Sequence, residues 1–509
     1  MSVTTLESRE PIIAAMQRPE FYDHDVTDIV MLQTHISWVF LTGQYAYKVK
    51  KPMDFGFLNF TELSQRKHFC EEEIRLNKRL ADEIYLETVC ITGSAESPAL
   101  NGAGDAIEYA VKMSQFEQSQ LADNLLNDGK ILPQHIDDIA DQVASFHQSI
   151  QVSGNQSVLG TSTIVNAPVI QNFEQLDPLI KDDHARAQLA RLKSWSETEF
   201  DKICHLLDQR KQNGFIRECH GDMHLGNMAL INDQITIFDG IEFNDEFRWI
   251  DVMSEVAFLF MDLFDRKKTN YAYRFLNRYL EHTGDYEGMQ IFRFYLVYRA
   301  MVRAKIASFT LLTPDLSAQE QEKIMLQYSS YSDLAEHFTQ TGELSLNITH
   351  GVSGSGKTTI SQRLLEEKGL IRIRSDIERK RLYHLASTAA SKSPLDGGIY
   401  SKEAGIKTYM QLKKFARLAL SSGFSVIADA TFLETADRRA FQELAAEFSA
   451  KYAIIECEAD ETELTKRIIA RRGDENNASE ADLSVLKKQL SSMMPLEEDE
   501  KVYIQPSTF

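Results

Sequence analysis

The chain contains 509 residues, well above the ~100–200 residues of a usual domain, which predicts at least two domains. Hydrophobic residues make up 43% and charged residues 26%, a globular composition that excludes a disordered or collagen-like chain. Acidic residues outnumber basic ones 75 to 55, and the net charge of −20 argues against non-specific binding of nucleic acid.

The sequence predicts neither a secretory signal nor a membrane segment. Its start, MSVTTLESREPII, lacks the charged-then-apolar pattern of a signal peptide. The apolar run from Val256 to Phe264 is interrupted by Asp262 and is far shorter than the roughly 20 residues of a membrane span. The cysteines include no C-x-x-C pair, which fits reduced thiols. We therefore expect a soluble, cytoplasmic protein with no membrane partner.

The first part of the chain predicts a small β-rich lobe followed by a larger helical lobe. After a short leading helix, Ile36–Leu41 and Tyr45–Lys50 are β-rich runs separated by Thr-Gly-Gln, which indicates a hairpin. Residues 62–81 follow a helical pattern, and Ile107–Met113 forms a further strand. The remainder is mostly helical, apart from the segment HGDMHLGN and the strand ITIF. This order favours a bilobal α+β domain over residues 1–310.

The segment HGDMHLGN has the composition of a phosphotransferase catalytic loop. His220, Asp222 and Asn227 follow the spacing H-x-D-x-x-x-x-N, and Asp239 stands at the end of the next strand. Phosphoryl transfer needs a carboxylate to orient the attacking hydroxyl, the role expected of Asp222. It also needs an amide and a second carboxylate to hold Mg²⁺ on ATP, the roles expected of Asn227 and Asp239. A polar capping loop would not explain Asp239 at a strand end.

Two residues upstream complete such a site. YAYKVKKP offers Lys48 on a strand to hold the ATP phosphates, and CEEEIRLNKRL offers Glu73 on the next helix to orient that lysine. Strand alternation places Lys50 on the same face as Lys48, and Glu72 adjoins Glu73, so both choices stay open. Lys48 is preferred because YAYK is similar to V-A-I-K, and Glu73 because of its spacing to the apolar stripe.

Over about residues 25–310, these motifs resemble the aminoglycoside phosphotransferase and choline kinase-like group, most specifically in HGDMHLGN and IFDGIEF. The resemblance implies a protein-kinase-like bilobal fold with ATP bound in the cleft. One departure is the absence of G-x-G-x-x-G from the first lobe. The substrate's charge stays open, because the acidic surface favours a cation whereas Arg299 and Arg303 either pair with acids or hold an anion.

The last part of the chain differs in charge and in pattern. From Glu343 onward, 24 basic and 25 acidic residues give −1, so subtraction from 55 and 75 leaves −19 for residues 1–342. Residues 311–342 predict a helical linker. Beyond it, strand-like runs such as Leu344–Thr349 and Ile371–Arg374 alternate with helical stretches, which predicts an α/β domain with a parallel sheet over residues 343–509.

The segment GVSGSGKT matches G-x-x-x-x-G-K-[ST] between a predicted strand and a predicted helix, the context that supports a phosphate-binding loop. Glycines let backbone N–H groups surround the phosphates, with Lys357 on the β- and γ-phosphates and the Thr358 hydroxyl on Mg²⁺. A plain Gly/Ser-rich turn does not account for both spacing and context. The predicted ATP-binding residues are Gly351, Ser353, Gly354, Ser355, Gly356, Lys357, Thr358 and Thr359.

Four further residues of this part are predicted to serve phosphoryl transfer. Asp429 ends the apolar strand of SVIADATF, where a carboxylate can order Mg²⁺ or its water. Asp376, past the second strand, is placed to accept a proton from a substrate hydroxyl. Arg471 and Arg472 in RIIARRGD are expected to close over the phosphates, although single arginines often form surface ion pairs instead.

Over about residues 343–505, RSDIERKRL, VIADATFL and ASEADLSVLKKQ resemble the P-loop kinases related to zeta toxins and polynucleotide kinase, often described as AAA-type ATP-binding domains. The whole chain resembles a bacterial fusion of the two kinase types. The resemblance implies two Mg²⁺- and ATP-dependent activities on small-molecule hydroxyls. The alternatives are a P-loop ATPase switch on a kinase-like binding module, and a nucleic-acid end kinase, which the net charge of this part makes a weaker prediction.

Overall fold

A computed structural model describes residues 9–54, 56, 58–312, 316–386, 389, 391, 397–470 and 480–506. The chain divides into two units, each formed by segments that are separate in the sequence. The first unit consists of Met1–His135, Ser149–Val165 and Leu207–Leu259, and the second of Ile136–Gln148, Asn166–Leu206 and Phe260–Phe509. The domain limits expected at residues 310 and 342 do not coincide with these units and stay a prediction.

The first unit contains an antiparallel sheet in the order β1-β2-β3-β6-β4-β5. Its strands are β1 (Val30–Gln33), β2 (Ser37–Leu41), β3 (Tyr45–Lys50), β4 (Tyr85–Ser94), β5 (Ser97–Leu100) and β6 (Ala106–Ser114). The expected hairpin is confirmed as β2–β3, with Val39 opposite Lys48. Apolar side chains such as Phe40, Tyr47 and Val49 form the core against this sheet because alternate strand residues share a face.

The helix Leu63–Ala81 packs on the sheet through Cys70, Ala81 and neighbouring apolar side chains, as its periodicity predicts. Its buried Arg66 donates from Nε to Glu108 Oε1 at 2.7 Å, so the charge is satisfied on β6. This contact fixes the rotation of the helix relative to the sheet and thereby the face on which Glu73 lies.

Two small antiparallel pairs complete the described strands of the first unit. They are β7 (Ile216–Glu218) with β10 (Trp249–Asp251), and β8 (Met228–Ile231) with β9 (Gln234–Ile237). In the β8–β9 hairpin Met228 lies opposite Ile237. This register brings the residues that precede β8 and those that follow β9 to the same end of the hairpin.

The second unit contains a sheet of five parallel strands in the order β12-β13-β11-β14-β15, which confirms the α/β prediction. The strands are β11 (Ser345–His350), β12 (Ile371–Arg374), β13 (Val426–Asp429), β14 (Lys451–Glu456) and β15 (Ile504–Pro506). Their inner positions are buried and mostly aliphatic, for example Leu346, Ile348 and Ile427, because helices cover a parallel sheet on both faces.

Helices dominate the middle of the chain, in agreement with the sequence pattern. In chain order, the α-helices of the described residues are Glu10–Ala15, Leu63–Ala81, Ala122–Asn127, Pro133–Ser149, Ser162–Leu176, Asp183–Gln212, Asp245–Arg248, Val252–Asp265, Thr269–Thr283, Met289–Phe309, Ala318–Thr339, Lys357–Lys368, Ser375–Leu382, Lys402–Ser421, Thr435–Glu447, Glu461–Ala470 and Leu483–Ser492. Among them, none combines the length and apolar character of a membrane-spanning segment.

The segment predicted as a linker contains the helix Ala318–Thr339, and Ser317 is its N-cap residue. The Ser317 and Glu320 side chains cap each other's backbone N–H groups in a capping box. The helix buries Tyr328 and Ala335. From the preceding helix, Arg293 donates to the Phe338 carbonyl oxygen at 2.9 Å, so the helix Ala318–Thr339 is a packed part of the second unit.

Candidate active sites

In the first unit, one buried carboxylate holds both candidate lysines. Lys48 Nζ donates to Glu73 Oε1 at 2.8 Å and to Asp239 Oδ1 at 2.6 Å. Lys50 Nζ donates to the other oxygen, Glu73 Oε2, at 2.7 Å, and also to Glu242. The two lysines share a face of β3 because they are two residues apart. Of these two lysines, Lys48 is therefore the one that reaches the aspartate expected to hold metal.

Electrostatics keep this cluster ionised. Burial opposes the charge on Lys48, but Asp239 and Glu73 outweigh it and raise the pKa of Lys48 well above its ordinary value. Burial likewise opposes the charge on Glu73, yet Lys48 and Lys50 hold the pKa of that carboxyl well below its usual range. Lys48 is thus a permanent cation at neutral pH, as a ligand for ATP phosphates must be.

Asn227 and Asp239 meet at one end of the β8–β9 hairpin. The Phe238 N–H donates to the Asn227 carbonyl oxygen at 3.0 Å, which extends the hairpin by one pair and places Asp239 directly beyond it. Asp239 has a φ of 62°, a left-handed conformation that few non-glycine residues adopt. Its N–H donates to Tyr85 Oη at 3.0 Å, a contact from β4 that supports this backbone.

The Asp222 carboxylate is held by its own loop. Asn227 Nδ2 donates to Asp222 Oδ2 at 3.0 Å and to the Asp222 carbonyl oxygen at 3.0 Å. His224 Nδ1 accepts the Gly226 N–H, so its proton lies on Nε2, 3.4 Å from Asp222 Oδ2. Since the Asp222 side chain is about one third exposed, at 36%, a substrate hydroxyl can reach it.

Buried contacts fix this loop from behind. His220 donates from Nε2 to the Phe238 carbonyl oxygen at 2.9 Å, and burial lowers the pKa of the imidazole, so it stays neutral. The Gly221 N–H donates to Glu255 Oε1 at 2.6 Å. Sequence reasoning missed Glu255, and its position three residues into a mostly apolar helix was the available signal. These contacts tie the loop to the core before any substrate binds.

In the second unit, β11 runs into the predicted phosphate loop and then into the helix Lys357–Lys368. Gly354 and Gly356 have φ values of 89° and 94°, which side-chain-bearing residues rarely adopt. Gly351 is needed for space, because a Cβ there would collide with the Cys457 carbonyl oxygen. Each glycine is therefore required by the path that curls the backbone N–H groups toward one centre.

Lys357 and Asp429 lie where the loop motif and the parallel sheet predict. Lys357 Nζ donates to the Val352 carbonyl oxygen at 2.7 Å, across the loop. Asp429 ends β13, the strand next to β11, and its Oδ2 accepts the Ser361 hydroxyl at 3.1 Å. Ser361 lies one turn after Thr358. The Thr358 hydroxyl and the Asp429 carboxylate therefore both lie near the start of the helix Lys357–Lys368.

A cavity of about 1510 Å³ opens over this loop. Its lining brings together most of the residues predicted for the second site: Ser353, Gly354, Ser355, Gly356, Lys357, Thr358, Thr359, Asp376 and Asp429. Gly351 lies behind the loop, outside this lining. Arg471 and Arg472 fall outside the described residues. Both basic and acidic side chains line the cavity, among them Arg379, Lys402 and Glu480.

Two other side chains contact the phosphate loop. Arg467, on the helix that precedes Arg471, donates from Nη1 to the Gly354 carbonyl oxygen at 3.2 Å. Gln489 accepts the Ser353 N–H at 2.7 Å through its Oε1. Gln489 is the last residue of ASEADLSVLKKQ, a segment quoted for its resemblance, but the sequence assigned it no role. Both contacts come from the last helices and order the loop.

The donor atoms of both sites suit Mg²⁺. The first site offers the carboxylate of Asp239 and the amide oxygen of Asn227, and the second offers the hydroxyl of Thr358 with the carboxylate of Asp429. Hard oxygen ligands of this kind, few in number and completed by phosphate oxygens and water, are what Mg²⁺ prefers. Neither set includes a thiolate or an imidazole.

Comparison with protein families assigns both regions. Residues 62–292 match the model described as a phosphotransferase enzyme family, and residues 346–496 match the model described as an AAA domain. These matches confirm the phosphotransferase resemblance of the first part and the AAA-type resemblance of the last part. The first match contains the candidate residues of the first site except the two lysines of β3, Lys48 and Lys50, and the second match contains the phosphate loop, Asp376 and Asp429.

Curated relatives share this organisation along most of their length. The uncharacterized protein Rv2004c of Mycobacterium tuberculosis is 28% identical over 465 residues, which cover 90% of this chain and 89% of the relative. An uncharacterized protein of Mycobacterium bovis, Mb2027c, matches to the same extent. The two regions therefore occur together in other bacterial chains.

Structure comparison matches parts of the chain to several solved kinases. The amicoumacin kinase hAmiN is 11% identical, with a TM-score of 0.42, and covers 65% of this chain and 96% of its own. A sugar kinase from Janibacter sp. HTCC2649 is 21% identical, with a TM-score of 0.26, and covers 33% of this chain and 87% of its own. Identities this low say nothing about the substrates of this chain.

Proposed function

We propose that this chain, which joins a domain of the phosphotransferase enzyme family to a P-loop domain of the AAA type, is a bifunctional ATP-dependent phosphotransferase. Each site transfers the γ-phosphoryl group of ATP to a hydroxyl of a small molecule, with Mg²⁺. The observation that supports the proposal is that each unit brings together the residues predicted to serve as phosphate-binding cation, metal-binding carboxylate and base.

At the first site, Lys48 holds the ATP phosphates and Glu73 holds Lys48 in place. Asn227 and Asp239 are the residues that would bind Mg²⁺, which supplies positive charge to the phosphate oxygens when bound. The oxygen of the substrate hydroxyl forms the new bond to phosphorus, and Asp222 accepts the proton that this hydroxyl loses. The bond from phosphorus to the β-phosphate oxygen breaks, and ADP leaves.

At the second site, the backbone of residues 351–356 surrounds the phosphates and Lys357 neutralises their charge. Thr358 and Asp429 are the residues that would hold Mg²⁺. Asp376, at the start of the helix Ser375–Leu382, is the candidate base, and the cavity shared with Lys357 gives a substrate room to reach it. Arg471 and Arg472 remain predicted phosphate ligands.

Small molecules are favoured over nucleic-acid ends as substrates of the second site. Acidic side chains such as Glu434, Asp437 and Glu480 stand beside the basic ones in the described part of the cavity. A track for a polyanionic backbone needs an excess of cations, and its binding falls steeply with salt. Mixed charge in a cavity suits a polar metabolite that makes a few specific contacts.

The test is ATP turnover by the full chain with Mg²⁺ against a pooled library of hydroxyl metabolites, aminoglycosides and RNA ends. Wild type is compared with Asp222→Ala, Lys357→Ala and a control, Lys323→Ala, on an exposed part of the helix Ala318–Thr339. We expect each site variant to lose a different subset of library-stimulated turnover, and the control to lose none. Turnover that ignores the library and depends on Lys357 alone would refute the proposal in favour of an ATPase switch.

A further inference from the structure

The helix Thr269–Thr283 binds the edge strand of the P-loop sheet, although its sequence lies inside the phosphotransferase match at 62–292. Asn277 Nδ2 donates to the Leu370 carbonyl oxygen at 2.8 Å, and its Oδ1 accepts the Arg372 N–H at 2.6 Å. The Asn277 amide thus pairs with the backbone of β12 as a neighbouring strand would. This helix is fixed in register against β12.

One turn further, Glu281 holds two arginines of β12. Its Oε1 accepts Arg372 Nε at 2.7 Å and its Oε2 accepts Arg374 Nη1 at 3.3 Å. The Glu281 side chain is only 4% exposed. Burial opposes its charge, but Arg372 and Arg374 outweigh this and keep the pKa of Glu281 below its ordinary value. Glu281 is therefore an ionised carboxylate at neutral pH.

The same Arg374 faces the predicted metal ligand. Its Nε lies 3.7 Å from Asp429 Oδ2, and its side chain lines the cavity that contains Thr358 and Asp376. Arg374 thus stands between two carboxylates, Glu281 on one side and Asp429 on the other. A cation this close to Asp429 competes with Mg²⁺ for that carboxylate. The strength of this competition depends on how firmly Glu281 holds Arg374.

We propose that Glu281 is a positioning residue of the P-loop site, which holds Arg374 back from Asp429 and so leaves that carboxylate available to Mg²⁺. This inference rests on the proposed function, since it assigns to Asp429 the metal-binding role given above. It also places within the P-loop site a residue that lies outside the AAA match at 346–496. The P-loop site therefore depends on a helix from the phosphotransferase region.

The test measures the Mg²⁺ concentration that half-saturates binding of a fluorescent ATP analogue to the full chain. All variants carry Asp239→Asn, which removes a metal ligand of the first site. The part of the binding signal that is lost when Lys357→Ala is added is assigned to the phosphate loop. Glu281→Gln is expected to raise the half-saturating Mg²⁺ about fivefold, which corresponds to about 1 kcal/mol of stronger pairing between Arg374 and Asp429. The amide keeps the shape of the side chain and removes its charge.

Glu366→Gln is the matched control. Glu366 Oε1 accepts Arg274 Nη1 at 2.7 Å, so this pair also joins the helix Thr269–Thr283 to the P-loop domain, but it does not involve Arg374. The control should leave the half-saturating Mg²⁺ within about twofold of wild type. If both glutamate variants raise it equally, Glu281 acts only through packing and the proposal is wrong.

A double-mutant cycle gives a second criterion. In an Arg374→Gln background the competing cation is gone, so Glu281→Gln should no longer change the Mg²⁺ requirement. Persistence of the effect there would overturn the proposal. The Arg374→Gln single variant, which retains the pair between Glu281 and Arg372, should need no more Mg²⁺ than wild type, and a clear rise would contradict the proposed competition.

Absence of Lys357-dependent phosphorylation of any substrate would refute the proposed function, whereas this binding measurement still decides the role of Glu281.

Discussion

Substituting each of the two lysines of β3 by methionine separates a catalytic role from a structural one. Lys48 and Lys50 lie on one strand face and share Glu73, but their second partners differ. The second partner of Lys48 is Asp239, whose side chain is 43% exposed, whereas that of Lys50 is Glu242, which is 4% exposed. The same substitution therefore leaves very different charges unpaired.

The cost in stability follows from these exposures. Lys50→Met leaves Glu242 buried without its cation, and removing one partner of a buried ion pair costs about 3–5 kcal/mol. For a unit of this size we expect a fall in melting temperature of roughly 10 °C. Lys48→Met leaves Glu73 paired with Lys50 and leaves Asp239 in contact with water, so its cost should be about 1 kcal/mol or less.

Activity should show the opposite order. Lys48→Met removes the cation next to Asp239, and the loss of one positioned charge in a phosphoryl-transfer site typically lowers kcat by about 10²–10³-fold. Lys50→Met, assayed well below its melting temperature, should retain most of its turnover. The measurements are thermal melting and ATP turnover in a Lys357→Ala background, which removes the contribution of the P-loop site.

The reasoning is refuted if Lys50→Met melts like the parent protein while losing turnover, since Lys50 would then be the phosphate ligand. Equal losses of turnover in two stable variants would show instead that the two lysines act as one group around Glu73. The first outcome would also reassign Glu242 from a structural partner to a member of the site. Arginine at position 48 would be a poor control, because its fork does not reproduce a point charge.

Three further predictions concern the P-loop domain. Gly351→Ala should cost about tenfold or more in ATP binding at this site, measured with the fluorescent analogue, because its Cβ would collide with the Cys457 carbonyl oxygen. Burial raises the pKa of Asp437 from 3.8 to about 6, so protonation favours the folded state and stability falls as the pH rises through that interval. Asp437→Asn should therefore raise the melting temperature at pH 7 and leave it unchanged below about pH 4. Arg438→Met removes the buried partner of Glu500, which accepts Arg438 Nε and Nη2 at 2.8 Å each, and should cost about 3–5 kcal/mol in thermal or denaturant unfolding.

Local patterns were sufficient to predict much of the fold. The β2–β3 hairpin and the phosphate loop were identified from the sequence, because turn residues and glycines within a few positions determine both. Strand β4 was missed, since Glu87, Gly93 and Ser94 weaken its pattern. Strand β15 contains three residues and a proline, too few for any periodicity, and it forms because β14 offers a free edge in the sheet.

The sites were predictable as residue types but not as contacts. The motif spacing indicated Lys48, Asp222 and Asp239, and it could not decide between Lys48 and Lys50. That decision depends on Glu242, which is 192 positions from Lys50 in the sequence. The sequence also could not indicate Glu281, because its ion pair with Arg372 joins residues 91 positions apart and belongs to no motif.

In both sites the carboxylate expected to bind metal already has a cation beside it. Lys48 lies 2.6 Å from Asp239, and Arg374 lies 3.7 Å from Asp429. Removing a carboxylate from water is costly when its charge is uncompensated, and the neighbouring cation lowers that cost for the buried Asp429 and for the partly exposed Asp239. When ATP and Mg²⁺ bind, the phosphates of ATP can pair with the cation while the carboxylate binds Mg²⁺. At the first site, where Lys48 and Asp239 are in direct contact, metal and nucleotide should therefore bind together, because either one alone would have to break this ion pair without replacing it.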